Sequence, residues 1–467
     1  MSDATPLVLH APARRAPELS WVAEMLLGRF LGLPWRLQLH DAGEVRLQAP
    51  GGDVVWPDVF LSGADGQWRA PATLPSLPFA EWPVPDAALR ERLGQSTLPV
   101  LFGDGRFDTA PGRVRLPIDL TGTCFFLLSR YEEGVAGAPR DAHGRFGARA
   151  SLPHRAGLGQ RPLVDELVEL LWWALAPLAP ALRRLQRRPS LWVSCDVDAP
   201  YSAAGRSWGK ALRQAGSALL HERSPRLAGQ ALLHATAARL GTQRYDPYDT
   251  FDWMLEANER AGHRMTFFFL SVRQPQPIDG SYELDEPRIA ALLRRIADRG
   301  HAIGLHGSYR SIDEPERLVG ELDGLRRAVV RARGDLAAIG SRQHYLRWRT
   351  PGTARLLDGL GLAYDSTLGF ADGPGFRCGT CHAFPLFDLD ARRGLTLVER
   401  PLVLMEATVL SKHYMGLGHG PRALDLMLGL KATCARFGGE FSLLWHNSNF
   451  GHPAARSMYL RLIEPVA

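Results

Sequence analysis

The sequence predicts an α/β protein: a parallel sheet, open or barrel-like, over residues 190–467, preceded by a smaller mixed α/β domain over residues 1–185. Three observations carry this. From Ser190 onward, short apolar runs alternate with helical patterns six or seven times in succession, as β/α units do. Arg183–Pro189 (RRLQRRP) is a polar, basic join at which the pattern changes character. The apolar runs end in acids and histidines, and the C-terminal ends of parallel strands are where such folds place their chemistry.

In the first part, short strand-like runs alternate with Pro/Gly turns, and helical patterning covers Leu19–Leu31, Phe125–Tyr131 and Val164–Leu185. In the second, the strand-like runs are Leu191–Cys195, Met265–Leu270, Ala302–His306, Leu362–Tyr364, Leu397–Met405 and Phe441–Trp445, with a weaker run at Ala337–Tyr345. Helical patterns fill the gaps at Asp249–Ala261, Ile289–Arg299, Pro315–Arg333, Thr353–Gly359 and Arg422–Phe437.

Composition sets further bounds. With 45% hydrophobic residues the chain has material for a real core. The net charge of +6 is local, because residues 201–245 hold Arg206, Lys210, Arg213, Arg223, Arg226, Arg239 and Arg244 against the single acid Glu222. That excess equals the charge of the whole chain, so a generally basic, nucleic-acid-coating protein is excluded. Trp208, Leu212, Ala215 and Leu219 recur there at helical spacing and predict an amphipathic helix. As an insertion after the first strand, this segment reads first as a solvated helix packed over the barrel rim; the sharper alternative is that it recruits an anionic substrate, such as a phosphate- or lipid-linked sugar, or makes peripheral contact with a membrane.

Five cysteines make no disulfide framework, and the N-terminus shows no secretory pattern. Leu167–Leu182 carries Glu169 and is broken by Pro177 and Pro180, so it reads as a buried helix rather than a transmembrane segment. The expected location is cytoplasmic.

Several strand ends carry chemistry. Asp196 and Asp198 in SCDVDAP stand at i and i+2 on extended chain, which points both carboxylates to one side. His306 closes HAIGLHGS and His446 closes FSLLWHNS. Singly, each is as readily a turn aspartate or a structural histidine; together they suit a divalent cation with an open position for water, whose pKa it would lower to about 7. His344, Asp365 and Glu406 lie at further strand ends.

SCDVDAP, RMTFFFL, GHAIGLHGSY, SRQHYL, GLAYDSTLG and LLWHNS, in that order, resemble the successive motifs of polysaccharide deacetylases, carbohydrate esterase family 4. The resemblance covers about residues 190–450. It implies a (β/α)-barrel, seven-stranded and irregular here, and a metal-dependent hydrolase of non-peptide carbon–nitrogen bonds that removes N- or O-acetyl groups from a carbohydrate by metal-activated water. Asp196 would be the base, Arg342 the residue orienting it, and His446 the acid for the leaving group. Asp198 and His306 would hold the cation, zinc first, with cobalt, nickel or manganese as alternatives. The family's second histidine ligand falls at Arg310, which cannot coordinate a cation. His344 is the expected substitute and Ser308 a weaker one. Arg310, Arg377, Glu406 and Trp445 are the candidate substrate contacts.

The preceding half, with IDLTGTCFFLLSRYEE, DAHGRF and GQRPLVDEL, resembles the N-terminal domain of a divergent branch of these proteins and implies little about function. Arg130, Glu132 and Glu133 are expected to form an interdomain salt-bridge set. Cys378–His382 reads as CxxCH, which suggests haem attachment or, equally, a structural zinc, but a loop near the barrel mouth is the plainer expectation. Two other functions stay open: a metal-free barrel that binds glycans or partners, and a glycoside hydrolase that pairs Asp196 with Glu406.

Overall fold

The computed structural model describes residues 6–465 apart from 42, 203–207, 221–224, 240–244, 272–277, 281 and 338. The chain forms two compact units that interleave in sequence. The first comprises Met1–Ser190, Leu346–Val403 and Ala432–Phe441; the second comprises Leu191–Tyr345, Leu404–Lys431 and Ser442–Ala467.

The first unit is built on a six-stranded mixed sheet in the order Trp35–His40, Leu7–Pro12, Glu44–Ala49, Gly52–Pro57, Arg113–Arg115, Asp108–Ala110. Leu7–Pro12 is buried at every position, and so is the helix Leu120–Leu128, which reads as apolar all round because it lies in the core. Phe384–Asp388 and Arg393–Glu399 form an antiparallel hairpin in this unit. Phe384 and Phe387 lie 6.5 and 5.2 Å from the Trp21 ring, so their aromatic face finds its complement there.

The sequence division placed a single break at residues 185–190, whereas the packing returns residues 346–403 to the first unit. Leu362–Tyr364, expected as a strand, is irregular, and the segment contributes only an isolated bridge from Asp365 to Glu399. The run Leu397–Met405 splits around Pro401, which has no N–H to give a ladder: its start ends the hairpin, and Leu404–Met405 joins the other sheet.

A buried ion network stands in this unit. Arg130 reaches Glu133 and Glu132 at 2.8 Å each, and Arg377 reaches Glu133 at 2.7 Å. Arg130, Glu133 and Arg377 all belong to the first unit, so the set expected between domains lies within one. Arg377 is fully enclosed by Glu133 and the Gly369 carbonyl, so the expectation that it contacts substrate is corrected.

The second unit is a parallel sheet of six strands among the described residues, not the seven expected. They are β1 (Ser190–Val197), β2 (Met265–Leu270), β3 (Ala302–Gly307), β4 (Ser341–Gln343), β5 (Leu404–Met405) and β6 (Glu440–Leu444), in the order β4-β3-β2-β1-β6-β5. β2 is buried throughout and β1 nearly so, which is why they read as continuous apolar runs rather than alternating ones. The register aligns Asp196 with Phe268, Leu270 with His306, and His306 with Arg342, bringing three functional positions to one end of the sheet.

Two helices, α1 (Trp208–Leu220) and α2 (Pro225–Arg239), pack against each other through Ala215, Ala218, Ala228 and Ala231. The buried face of α1 is therefore its alanine face, where small side chains allow close approach. Trp208, Leu212 and Leu219, expected to share the packed face with Ala215, are exposed, Leu212 by 59%. Arg206, Glu222, Arg223 and Arg244 lie outside the described residues, as do the side chains of Lys210, Arg226 and Arg239. Among the described residues no helix is long and apolar enough to cross a membrane.

Burial alone would raise the Glu133 carboxyl, but Arg377 and Arg130 hold it at about 2, against about 4.3 in an unfolded chain. Glu133→Gln leaves two buried guanidiniums undercompensated and is expected to lower unfolding stability by about 3 kcal/mol or more. A depressed carboxyl stabilises the fold above its unfolded value and loses that contribution as pH falls through the folded one. The gap between wild type and variant should therefore be full above about pH 4.5 and close toward pH 2. Denaturant titration across that range checks both points; a gap under about 1 kcal/mol at neutral pH refutes them.

Candidate active site

Asp198 stands just beyond β1. Its Oδ1 lies 3.2 Å from His306 Nε2, at the end of β3, and 3.4 Å from His344 Nε2, just beyond β4. One donor atom from each of these residues lies within 4.8 Å of the other two. The Asp198 side chain is 40% exposed, yet Oδ1 itself is sealed from solvent and accepts no hydrogen bond. Burial would raise its carboxyl, but His344, His306 and His446 outweigh that and hold it well below the usual carboxylate range.

The far side of each imidazole is engaged. His306 Nδ1 lies 2.9 Å from the Arg342 carbonyl oxygen, so Nδ1–H donates there and Nε2 faces Asp198. His344 Nδ1 lies 2.7 Å from Asp279 Oδ1. These are the outer contacts that orient metal-ligating histidines. After His344 the backbone at Tyr345 turns through the left-handed region (φ 63°), which takes the chain out of the strand direction. Two imidazole nitrogens facing one sealed, unpartnered carboxylate oxygen fit a divalent cation, with Asp198, His306 and His344 as its holders.

Next to this group, Asp196 Oδ1 accepts from Arg342 Nη1 at 2.9 Å, while Oδ2 lies 3.9 Å from His306 Nε2. Arg342 is fully buried; it also donates to Ser194 Oγ at 2.8 Å and lies over the rings of Phe268 and Trp192 at 4.6 and 5.5 Å.

His446, beyond β6, completes the group. Its Nδ1 lies 2.7 Å from Glu406 Oε1, which also accepts from the His446 N–H and from Asn449 Nδ2. Its Nε2 is 3.7 Å from Asp198 Oδ2. Burial would lower the imidazole, but Glu406 first, then Asp198 and Asp196, push it up to about 10, so it is protonated at neutral pH.

Of the residues expected here, Asp196, Asp198, His306, Arg342, His344 and His446 come together in one place. Glu406, expected at the substrate, is buried behind His446 and holds it instead, at the start of α3 (Glu406–Leu410). Arg310 is 54% exposed and pairs with Glu314 at 3.7 Å. Ser308 is bonded through Oγ and N–H to Glu321. Trp445, also expected at the substrate, is fully buried among Phe450 and Tyr459, because successive residues of an extended chain face opposite ways and His446 takes the open side. Asp365 and the CxxCH segment belong to the first unit.

Sequence reasoning missed Asp279, Gly280 and Tyr282. Asp279 orients His344 and accepts from the Tyr309 N–H at 2.9 Å. A Cβ on Gly280 would stand 2.3 Å from the Asp198 carbonyl oxygen, so glycine is what lets this loop lie against β1. Tyr282 Oη donates to the Val197 carbonyl and accepts from the Leu270 N–H, tying β1 to β2. The only signal was an Asp-Gly dipeptide, which announces a turn and nothing more.

Comparisons with known proteins place little around this geometry. Residues 7–180 match a family of unknown function (DUF7033). No curated protein matches the chain. Among solved structures, a putative polysaccharide deacetylase from Mycobacterium smegmatis is similar at 18% identity, over 59% of this chain and 83% of its own, with a TM-score of 0.38. A probable polysaccharide deacetylase from Pseudomonas aeruginosa PAO1 and the Puue allantoinase each show 15% identity, over 60% and 84% of the two chains, with a TM-score of 0.35. A likeness this distant carries no argument about activity.

Two outcomes are expected from the geometry. Asp279→Ala, which frees the far side of His344, should weaken divalent-cation binding by about 10–100-fold, measured by competition with a chromogenic chelator. In the metal-free protein, NMR titration should find His446 protonated up to about pH 10. Glu406→Gln should return it toward the ordinary histidine value of about 6.5; an unmoved titration would remove Glu406 from the role given to it.

Proposed function

We propose that the second unit is a divalent-cation-dependent hydrolase that removes acetyl groups from the nitrogen or oxygen of a carbohydrate. The observation that carries this reading is the sealed, unpartnered Oδ1 of Asp198 between two oriented imidazoles, with an arginine-held carboxylate beside it. Asp198, His306 and His344 hold the cation. When bound, such a cation lowers the pKa of a coordinated water to about 7 and polarises a carbonyl.

The chain's own residues supply the rest. Asp196 accepts the proton of the attacking water at Oδ2, because Oδ1 is taken by Arg342. His446 donates its proton from Nε2 to the departing amine or alkoxide, and Glu406 balances the imidazolium until then. A paired-carboxylate glycosidase is disfavoured, since Glu406 is fully buried behind His446.

Purified protein supplied with zinc, cobalt or manganese should release acetate from at least one of a panel of N- and O-acetylated sugars, and chelator should abolish the release. Asp196→Asn should lower turnover about 10²-fold or more while retaining the metal; His344→Ala should lose both. Acetate release indifferent to chelator overturns the cation's role. No bound cation and no acetate from any sugar leaves the metal-free binding reading in its place.

A further inference from the structure

The first unit contains a second group of ligating side chains that the proposed hydrolase does not use. Asp165, in the helix Leu163–Leu175, meets Cys381 and His382 from the segment preceding the hairpin. One donor atom from each of the three lies within 4.8 Å of the other two. Cys381 Sγ is 3.1 Å from Asp165 Oδ2, and its thiol is in hydrogen-bonding contact with that of Cys434. All four residues belong to the same unit, and no disulfide joins the two cysteines.

The surroundings hold these donors in place. Thr380 Oγ1 donates to Asp165 Oδ1 at 2.6 Å, and the Cys381 N–H donates to Oδ2 at 3.0 Å. His382 bonds to the Phe437 carbonyl through one ring nitrogen, leaving the other to face the group, and its ring lies 5.8 Å from that of Phe30. Such outer contacts orient ligands. Gly439 backs the thiol, since a Cβ there would stand 2.1 Å from Cys381 Sγ. A cleft of about 180 Å³ bordered by Asp165 and His382 gives a way in, and two of the arginines on it, Arg92 and Arg184, are each paired with Glu169.

We propose that Asp165, Cys381 and His382 form the core of a zinc site, with Cys434, beside the Cys381 thiol, as its fourth donor. Two sulfurs, one imidazole nitrogen and one carboxylate oxygen make a four-coordinate set that leaves no position for water, so the site is structural. Binding exchanges the two thiol protons, released to solvent, for two metal–sulfur bonds. The CxxCH pattern here is then half of a zinc site and not a haem attachment.

Cobalt substitution of the full-length chain, stripped and reloaded under reductant, tests this independently of the hydrolase. The loaded protein should show near-ultraviolet thiolate-to-cobalt absorption, which a site of one aspartate and two histidines does not give. Cys381→Ser should at least halve it, Cys381→Ser with Cys434→Ser should abolish it, and His382→Gln, at a half-buried position, should weaken cobalt binding at least about 10-fold with the fold kept. Asp198→Ala should leave the band intact while removing a separate equivalent of metal. Cobalt-loaded wild type without the band, or a band and affinity unchanged in both Cys381→Ser and His382→Gln, overturns the site.

Discussion

A guanidinium buried in a protein must be fully compensated, and in the second unit that requirement organises everything near it. Arg342 answers it with Asp196, Ser194 and two aromatic faces. In doing so it fixes one oxygen of Asp196 and leaves the other exposed to the reaction centre. The same residue's carbonyl takes the Nδ1–H of His306, which determines the nitrogen that imidazole presents. One position on β4 therefore orients both the proposed base and a proposed ligand, through side chain and backbone respectively.

Charge around the centre balances in the same economical way. Asp198 is surrounded by three imidazoles and Asp196 by an arginine, while His446 has its own carboxylate in Glu406. Removing a cation from such a group leaves two histidines crowded against one acid. The outer residues Asp279 and Glu406 matter for that reason: they keep rings in place that would otherwise turn toward the nearest hydrogen-bond partner.

Much of this was legible in the sequence because parallel strands covered on both faces are continuous apolar runs, and the polar residue ending each run is conspicuous. Asp196, Asp198, His306 and His446 were visible on those grounds, and His344 followed from its place one strand along. What was not legible depends on approach between distant segments. Asp279 acts only because Gly280 lets its loop lie on β1, which no periodicity records. Trp445 was misread since its neighbour His446 takes the open side. On α1 the alanines, not the larger apolar residues, met the partner helix, because helix spacing identifies a face without identifying its neighbour.

The interleaving of the two units bears on how the protein is made and on how it can be dissected. β5 and β6 follow the hairpin Phe384–Glu399, so ribosomal synthesis completes the parallel sheet only after the last piece of the other unit has begun to emerge. Neither unit is a contiguous stretch of chain, and their long-range pairings must be closed late, at the entropic cost of large loops. A fragment starting at residue 190 would carry Phe384 and Phe387 without Trp21, exposing an aromatic face that invites aggregation. Isolating the second unit therefore takes removal of residues 1–189 together with an internal excision of 346–403, with β6 kept, not one truncation.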